Sequence, residues 1–169
     1  MKTNVWAVVL VAILLSCHKD HPNQTSVDST DKEFVMRASM ANTAEVGAGQ
    51  MAAAKATDED VQDFGNFMVT EHGTSETQLK GLADSLGLYA PDSLDVEHVA
   101  LKMQLDSLDG RAFDSAYIHA QVTDHQNAIG LFQNEIDNGR NSRLIDFATS
   151  QMPHLQMHLQ KADSIAAKF

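Results

Sequence analysis

Glu45, His72, His125 and His158 are the residues of this 169-residue chain whose type and position point most directly to chemistry. Each accompanies or interrupts an apolar stripe at helical spacing. Ile118, Val122, His125, Ile129, Phe132 and Ile136 recur every three or four residues and so share one side of an α-helix. Val61, Phe64, Met68, His72, Ser75, Leu79, Leu82 and Leu86 form a second such line, and Phe34, Ala38, Ala41, Glu45, Ala48 and Ala52 a third. In the fourth, Ile145, Ala148, Met152, Leu155, Leu159, Ala162 and Ala166 run beside His154 and His158, which lie towards one edge of the face. Faces of this width are buried against other helices. Counted back from turns near residues 57 and 140 at 1.5 Å per residue, the four polar members lie about 18 to 27 Å along their helices. They therefore define one polar layer inside an apolar interior.

A buried charge is costly unless it is paired or bound to a metal. Two arrangements meet that demand. In one, imidazoles and carboxylate coordinate a transition ion such as zinc, copper or iron, with Glu71, Asp124 and His154 as additional ligands or as partners of the ligands. In the other, the same groups hydrogen-bond to one another or to water and fix the register of the helices. Met152-x-His154-x-x-Met157-His158 is a softer donor set that could favour copper, but methionine filling a gap beside the Pro153 kink is the preferred explanation. No glycine-rich phosphate loop, nucleophile–base motif or paired-cysteine site occurs, so hydrolase and nucleotide-binding readings have no support.

The elements that must position these residues follow from the rest of the chain. Residues 1–16 have the form of a signal peptide, with Lys2 before an apolar run from Val5 to Leu15. That run is shorter than the roughly 20 residues a bilayer requires. Leu14-Leu15-Ser16-Cys17 resembles the lipobox of bacterial lipoproteins, and Cys17, the single cysteine, is the expected lipidation site. Acylation there would hold the protein on a membrane, at the cell envelope and facing the periplasm, with the outer membrane favoured over the inner. Residues 17–30 are the lipidated cysteine and a polar tether, and residues 31–169 the folded domain. Acids outnumber bases by 23 to 12, which disfavours nucleic acid and anionic surfaces as partners.

Within the domain, the spacing predicts an all-α helical bundle. Its first long segment starts at Thr30 or Asp31 and closes near Lys55 to Thr57; its second follows Thr57 and stops at Gly87. Arg111 to Asn138 and Asn141 onwards are the other two. The long link between the second and third has its own short helical pattern from Val96 to Leu108, and suits either a crossover or an inserted helix in an antiparallel bundle. Pro153 should bend the last helix, since it withdraws the N–H that the Thr149 carbonyl would accept.

Phe34 with Glu45, Met68-Val69-x-Glu71-His72, Phe113-Asp114-x-x-Tyr117 followed by His125, and Pro153 followed by His158 together resemble the DUF4142 family of bacterial envelope proteins. The resemblance spans Asp31 to Ala166. It implies a ferritin-like four-helix bundle, to which the residue pattern adds the short extra helix in the long link, and an exported location, but no established activity. Ferritin-like di-iron proteins use Glu-x-x-His pairs. None occurs here, since Thr74 follows Glu71 by three and Asn138 follows Glu135 by three. Phe34 to Glu45 and Phe113 to Asp124 are both eleven apart, which suits two related hairpins. The sequence thus supports an anchored envelope protein with a metal-binding His/Glu layer; the alternative is a structural or partner-binding protein whose histidines only fix packing. It assigns no catalytic residue.

Overall fold

The computed structural model describes residues 25–169, so the expected signal peptide, Cys17 and most of the expected tether lie outside the described residues. Five helices follow in order: α1 (Ser29–Lys55), α2 (Glu59–Ser85), α3 (Val96–Asp106), α4 (Gly110–Asn138) and α5 (Ser142–Ala166). Among the described residues there is no strand, and no helix is long and apolar enough to cross a membrane.

Local chemistry explains the boundaries. Asp28, not Thr30 or Asp31, caps α1, because its carboxylate accepts from the Thr30 and Asp31 backbones while Asp31 reaches back to the Asp28 N–H. Asp58, Asp95 and Asn141 cap α2, α3 and α5 in the same way, each accepting from a first-turn amide. Gly87 and Gly110, at φ 68° and 56°, take the left-handed conformation that ends α2 and opens α4. Pro153 sits inside a helix that continues past it.

The long helices pair as two hairpins, α1 with α2 and α4 with α5, and α1 also packs on α4. The first hairpin is closed by glycine. A Cβ on Gly65 would lie 2.7 Å from the Ala52 Cβ and 2.8 Å from the Gly49 carbonyl, so the two backbones nearly touch. Two apolar clusters then fill the interior. One contains Phe34, Ala38, Leu79, Phe132, Leu144 and Phe147; the other contains Ala52, Phe64, Met68, Phe113, Tyr117 and Ile118. Every long helix contributes to both clusters, and on each the polar member predicted from its stripe falls between the two contributions.

This distribution also gives the direction of travel. α2 finishes in the first cluster, whereas α4 begins in the second, so the link between them must traverse the length of the bundle. It does so along α1. Ser39, in the first half of α1, donates to the Pro91 carbonyl at 2.9 Å, and Lys55, at its end, donates to the Leu105 carbonyl at 3.1 Å. The expected short helix is α3, carried on this crossover.

Candidate metal centre

His72, His125 and His158 come from α2, α4 and α5, and all three are buried. Their rings form a nearly equilateral triangle, with centroid separations of 5.5, 5.3 and 5.3 Å. One nitrogen from each can be chosen so that all three lie within 4.8 Å of one another. His125 Nε2 and His158 Nδ1 are 3.3 Å apart. Two nitrogens bound at about 2.0–2.1 Å to one tetrahedral ion are separated by about 3.3 Å. The pair is therefore already at ligand spacing.

The outward-facing nitrogens meet oxygen. His72 Nδ1 donates to the Asn42 side-chain oxygen at 2.9 Å. The Asn42 amide nitrogen is turned towards Glu76, at 3.2 Å, which leaves that oxygen free to accept. His125 Nδ1 donates to the Gln121 carbonyl at 2.8 Å, and His158 Nε2 faces the Glu71 carboxylate at 3.7 Å. Such partners fix the tautomer and leave the other nitrogen with an exposed lone pair. The consequence is visible at His72, whose Nε2 is buried and has no hydrogen-bond partner.

Burial sets the charge of the layer. It lowers the pKa of His158 to about 3, aided by neighbouring His125 and His154, and lowers those of His72 and His125 as well. All three rings are accordingly neutral at pH 7, the form that binds metal. His158 then has an acceptor on either side, His125 Nε2 and the Glu71 carboxylate, and only one proton to offer. A cation held in the triangle would resolve that conflict.

Glu45 lies beside this set, on the other side of His125. Its Oε1 is 3.7 Å from His125 Nδ1, the nitrogen that points away from His158, and it accepts a hydrogen bond from the Gln121 side chain. Burial, and then the Asp124 charge, raise its pKa to about 8, so the carboxyl is largely protonated at neutral pH. Its Oε2 and the Tyr117 hydroxyl are buried with no hydrogen-bond partner. Asp124 is half-buried, with its own pKa raised by desolvation, and lines the same cavity of about 1010 Å³ as Glu45 and the triangle. Glu71 and His154 also line it, and pair with each other at 3.4 Å at its outer edge.

The structure thus brings His72, His125 and His158 together, and leaves Glu45, Glu71, Asp124 and His154 around them. Sequence reasoning missed Asn42 and Gln121. Both carried a signal, since Asn42 precedes Glu45 by three and Gln121 precedes His125 by four, on the inward side of their helices. His98 on α3, held through Nδ1 by Asp95 at 2.6 Å, was also unforeseen and lines the cavity from the crossover.

These features define an all-helical bundle with three buried imidazoles converging in its core. Residues 17–165 match DUF4142, described as a domain of unknown function, and the chain belongs to that family. No curated protein matches. Among solved structures the fold resembles a DUF305 fragment from Deinococcus radiodurans, with a TM-score of 0.75 at 10% identity, covering 85% of this chain and 99% of that one. It also resembles a DUF305 protein from Streptomyces coelicolor, with a TM-score of 0.71 at 14% identity, covering 83% and 92%. At these identities the likeness concerns the fold.

Proposed function

We propose that this protein is a metal-binding module in which His72, His125 and His158 hold one divalent or monovalent transition ion, and that it is carried at the cell envelope on a lipidated Cys17. The single observation behind the metal reading is the converging set of three neutral imidazoles, with His72 and His125 each anchored through the far nitrogen to a protein oxygen. Three nitrogen donors suit zinc, copper or iron. Glu45, protonated and placed behind His125, acts as a partner of the ligand and not as a ligand. The bundle around the centre is of the ferritin-like four-helix type, whose cores hold metals on facing helices.

The test is metal analysis of the mature protein purified without an affinity tag, followed by titration with zinc, copper(I) and iron(II). One ion per chain is expected, and it should be lost in His125→Ala. If the wild type takes up no ion stoichiometrically, the histidines are packing devices, and a His72→Leu/His125→Leu variant should then fold with undiminished stability. The anchor is tested separately: labelling with a radioactive fatty acid should mark the wild type and not Cys17→Ser.

A further inference from the structure

An ion cannot reach the triangle without shedding its water, and every lost water must be replaced by a ligand or the cost of desolvation becomes prohibitive. The seam between α2 and α5 supplies such ligands in a graded series. The His154 side chain is 54% exposed, that of Glu71 31% and that of His158 3%. Glu71 Oε2 stands between the other two, 3.4 Å from His154 Nδ1 and 3.7 Å from His158 Nε2. His158 Nε2 is buried without a hydrogen-bond partner and is directed at that carboxylate. All three residues line the one cavity that also reaches His72 and His125.

We propose that Glu71, His154 and the outer nitrogen of His158 form a second cation station, which captures a divalent transition ion at the surface and passes it to the three-histidine site. This inference rests on the metal-binding function proposed above. His158 is the shared element, because its two nitrogens face the two stations: Nε2 towards Glu71 and Nδ1 towards His125. A neutral imidazole binds metal through one nitrogen and keeps its proton on the other. With the ion outside, on Nε2, the Nδ1 proton is donated to His125 Nε2. With the ion inside, on Nδ1, the proton sits on Nε2 and is donated to Glu71, which changes from ligand to acceptor. The exchange conserves the proton and leaves no buried lone pair facing another. Glu71 and His154 therefore set how fast the centre fills and empties, while the inner histidines set how tightly it holds.

Cobalt(II) is the probe, because its visible absorption reports the geometry of the inner site. Full-length mature protein, Glu71→Gln and His154→Ala are mixed with cobalt(II) in a stopped-flow instrument, with His119→Ala as a control at an exposed histidine on α4. Removing the carboxylate charge in Glu71→Gln, or the outer imidazole in His154→Ala, should slow loading by about tenfold, with the final spectrum and one-ion stoichiometry unchanged and the control loading at the wild-type rate. Loading of both variants at the wild-type rate would overturn the outer station while leaving the inner site standing. Loss of the final spectrum in His154→Ala would also overturn it, since His154 would then be an inner ligand. Failure of the wild type to bind cobalt(II), zinc, copper(I) or iron(II) would remove the metal function itself, and the station with it.

Discussion

The two hairpins are built to one plan and finished differently. Asp114 on α4 closes the α1–α2 turn, accepting from the Thr57 N–H at 3.0 Å, the Asp58 N–H at 3.0 Å and the Thr57 hydroxyl at 2.5 Å. Asp31 on α1 does the reciprocal service for the α4–α5 turn, accepting from the Arg140 and Asn141 N–H groups at 2.9 and 3.0 Å. Aligning the hairpins on these clamped turns pairs Asp31 with Asp114, Phe34 with Tyr117, Asp58 with Asn141 and Phe64 with Phe147. The same alignment pairs Gly49 with Phe132 and Gly65 with Ala148, so the first hairpin closes backbone to backbone where the second is wedged by a ring. It pairs Asn42 with His125, and Ser75 with His158. A ligand on one hairpin thus corresponds to an orienting or neutral side chain on the other. The scaffold has the character of a duplicated unit, and the chemistry has broken that symmetry, with two of the three imidazoles on the second hairpin.

Disabling one clamp at a time is the most severe test of this comparison. Asp114→Ala leaves two backbone N–H groups of the first turn unpaired and should cost roughly 3 kcal/mol, a fall in Tm of about 10 °C by thermal denaturation. Asp31→Ala should cost about as much, since it orphans the matching pair; a much smaller loss at either site would show that the clamps are not equivalent. Next in size, Gly65→Ala should destabilise by about 2 kcal/mol because its methyl meets the Gly49 carbonyl and α1 must retreat. The counterpart Ala148→Gly tests the looser hairpin and should cost only about 1 kcal/mol.

Smaller still is the effect at the broken-symmetry position. Asn42→Ala frees His72 Nδ1 and should weaken zinc binding by about 10-fold while the stoichiometry holds, measured by competition with a chelating dye. The finest difference concerns Glu135, which pairs with Ala52 in the alignment and is buried against the Asp31 clamp. Burial, and then contact with Asp31, raise its pKa from 4.5 to about 8, whereas backbone N–H groups outweigh the burial of Asp31 and hold that carboxylate low. The folded protein therefore keeps a proton that the unfolded chain has lost across this range. The part of the stability that Glu135 contributes falls as pH rises from about 4.5 to about 8 and then levels off. Glu135→Gln should remove this contribution and leave that of Glu45 in place, raising Tm relative to the wild type at pH 8.5 and changing little at pH 4.5.

The comparison also corrects the internal echo seen in the sequence. Phe34 to Glu45 and Phe113 to Asp124 have equal spacing, but the clamped turns align Phe34 with Tyr117, about one helical turn further along. Equal spacing along two helices is satisfied by several registers. Only the hydrogen bonds from Asp31 and Asp114 to opposite turns select one.

Sequence alone determined that this chain forms long helices, that each carries an apolar face, and that His72, His125 and His158 lie in or beside those faces. These are local matters, because a helix repeats every 3.6 residues and its buried side is written in the spacing of its own side chains. It also determined the family, through motifs that occur in order. Tertiary structure decided the rest. The crossover was undecidable from residues 88–109, since direction is set by which cluster each helix end joins. Glu45 and His158 were indistinguishable as ligand candidates, because spacing along a helix places both at the level of the polar layer and says nothing of what each faces. Which nitrogen of a ring faces a neighbouring ring, and which faces Asn42 or a carbonyl, depends on the rotation and offset of helices against one another. No pattern within a single helix records that rotation.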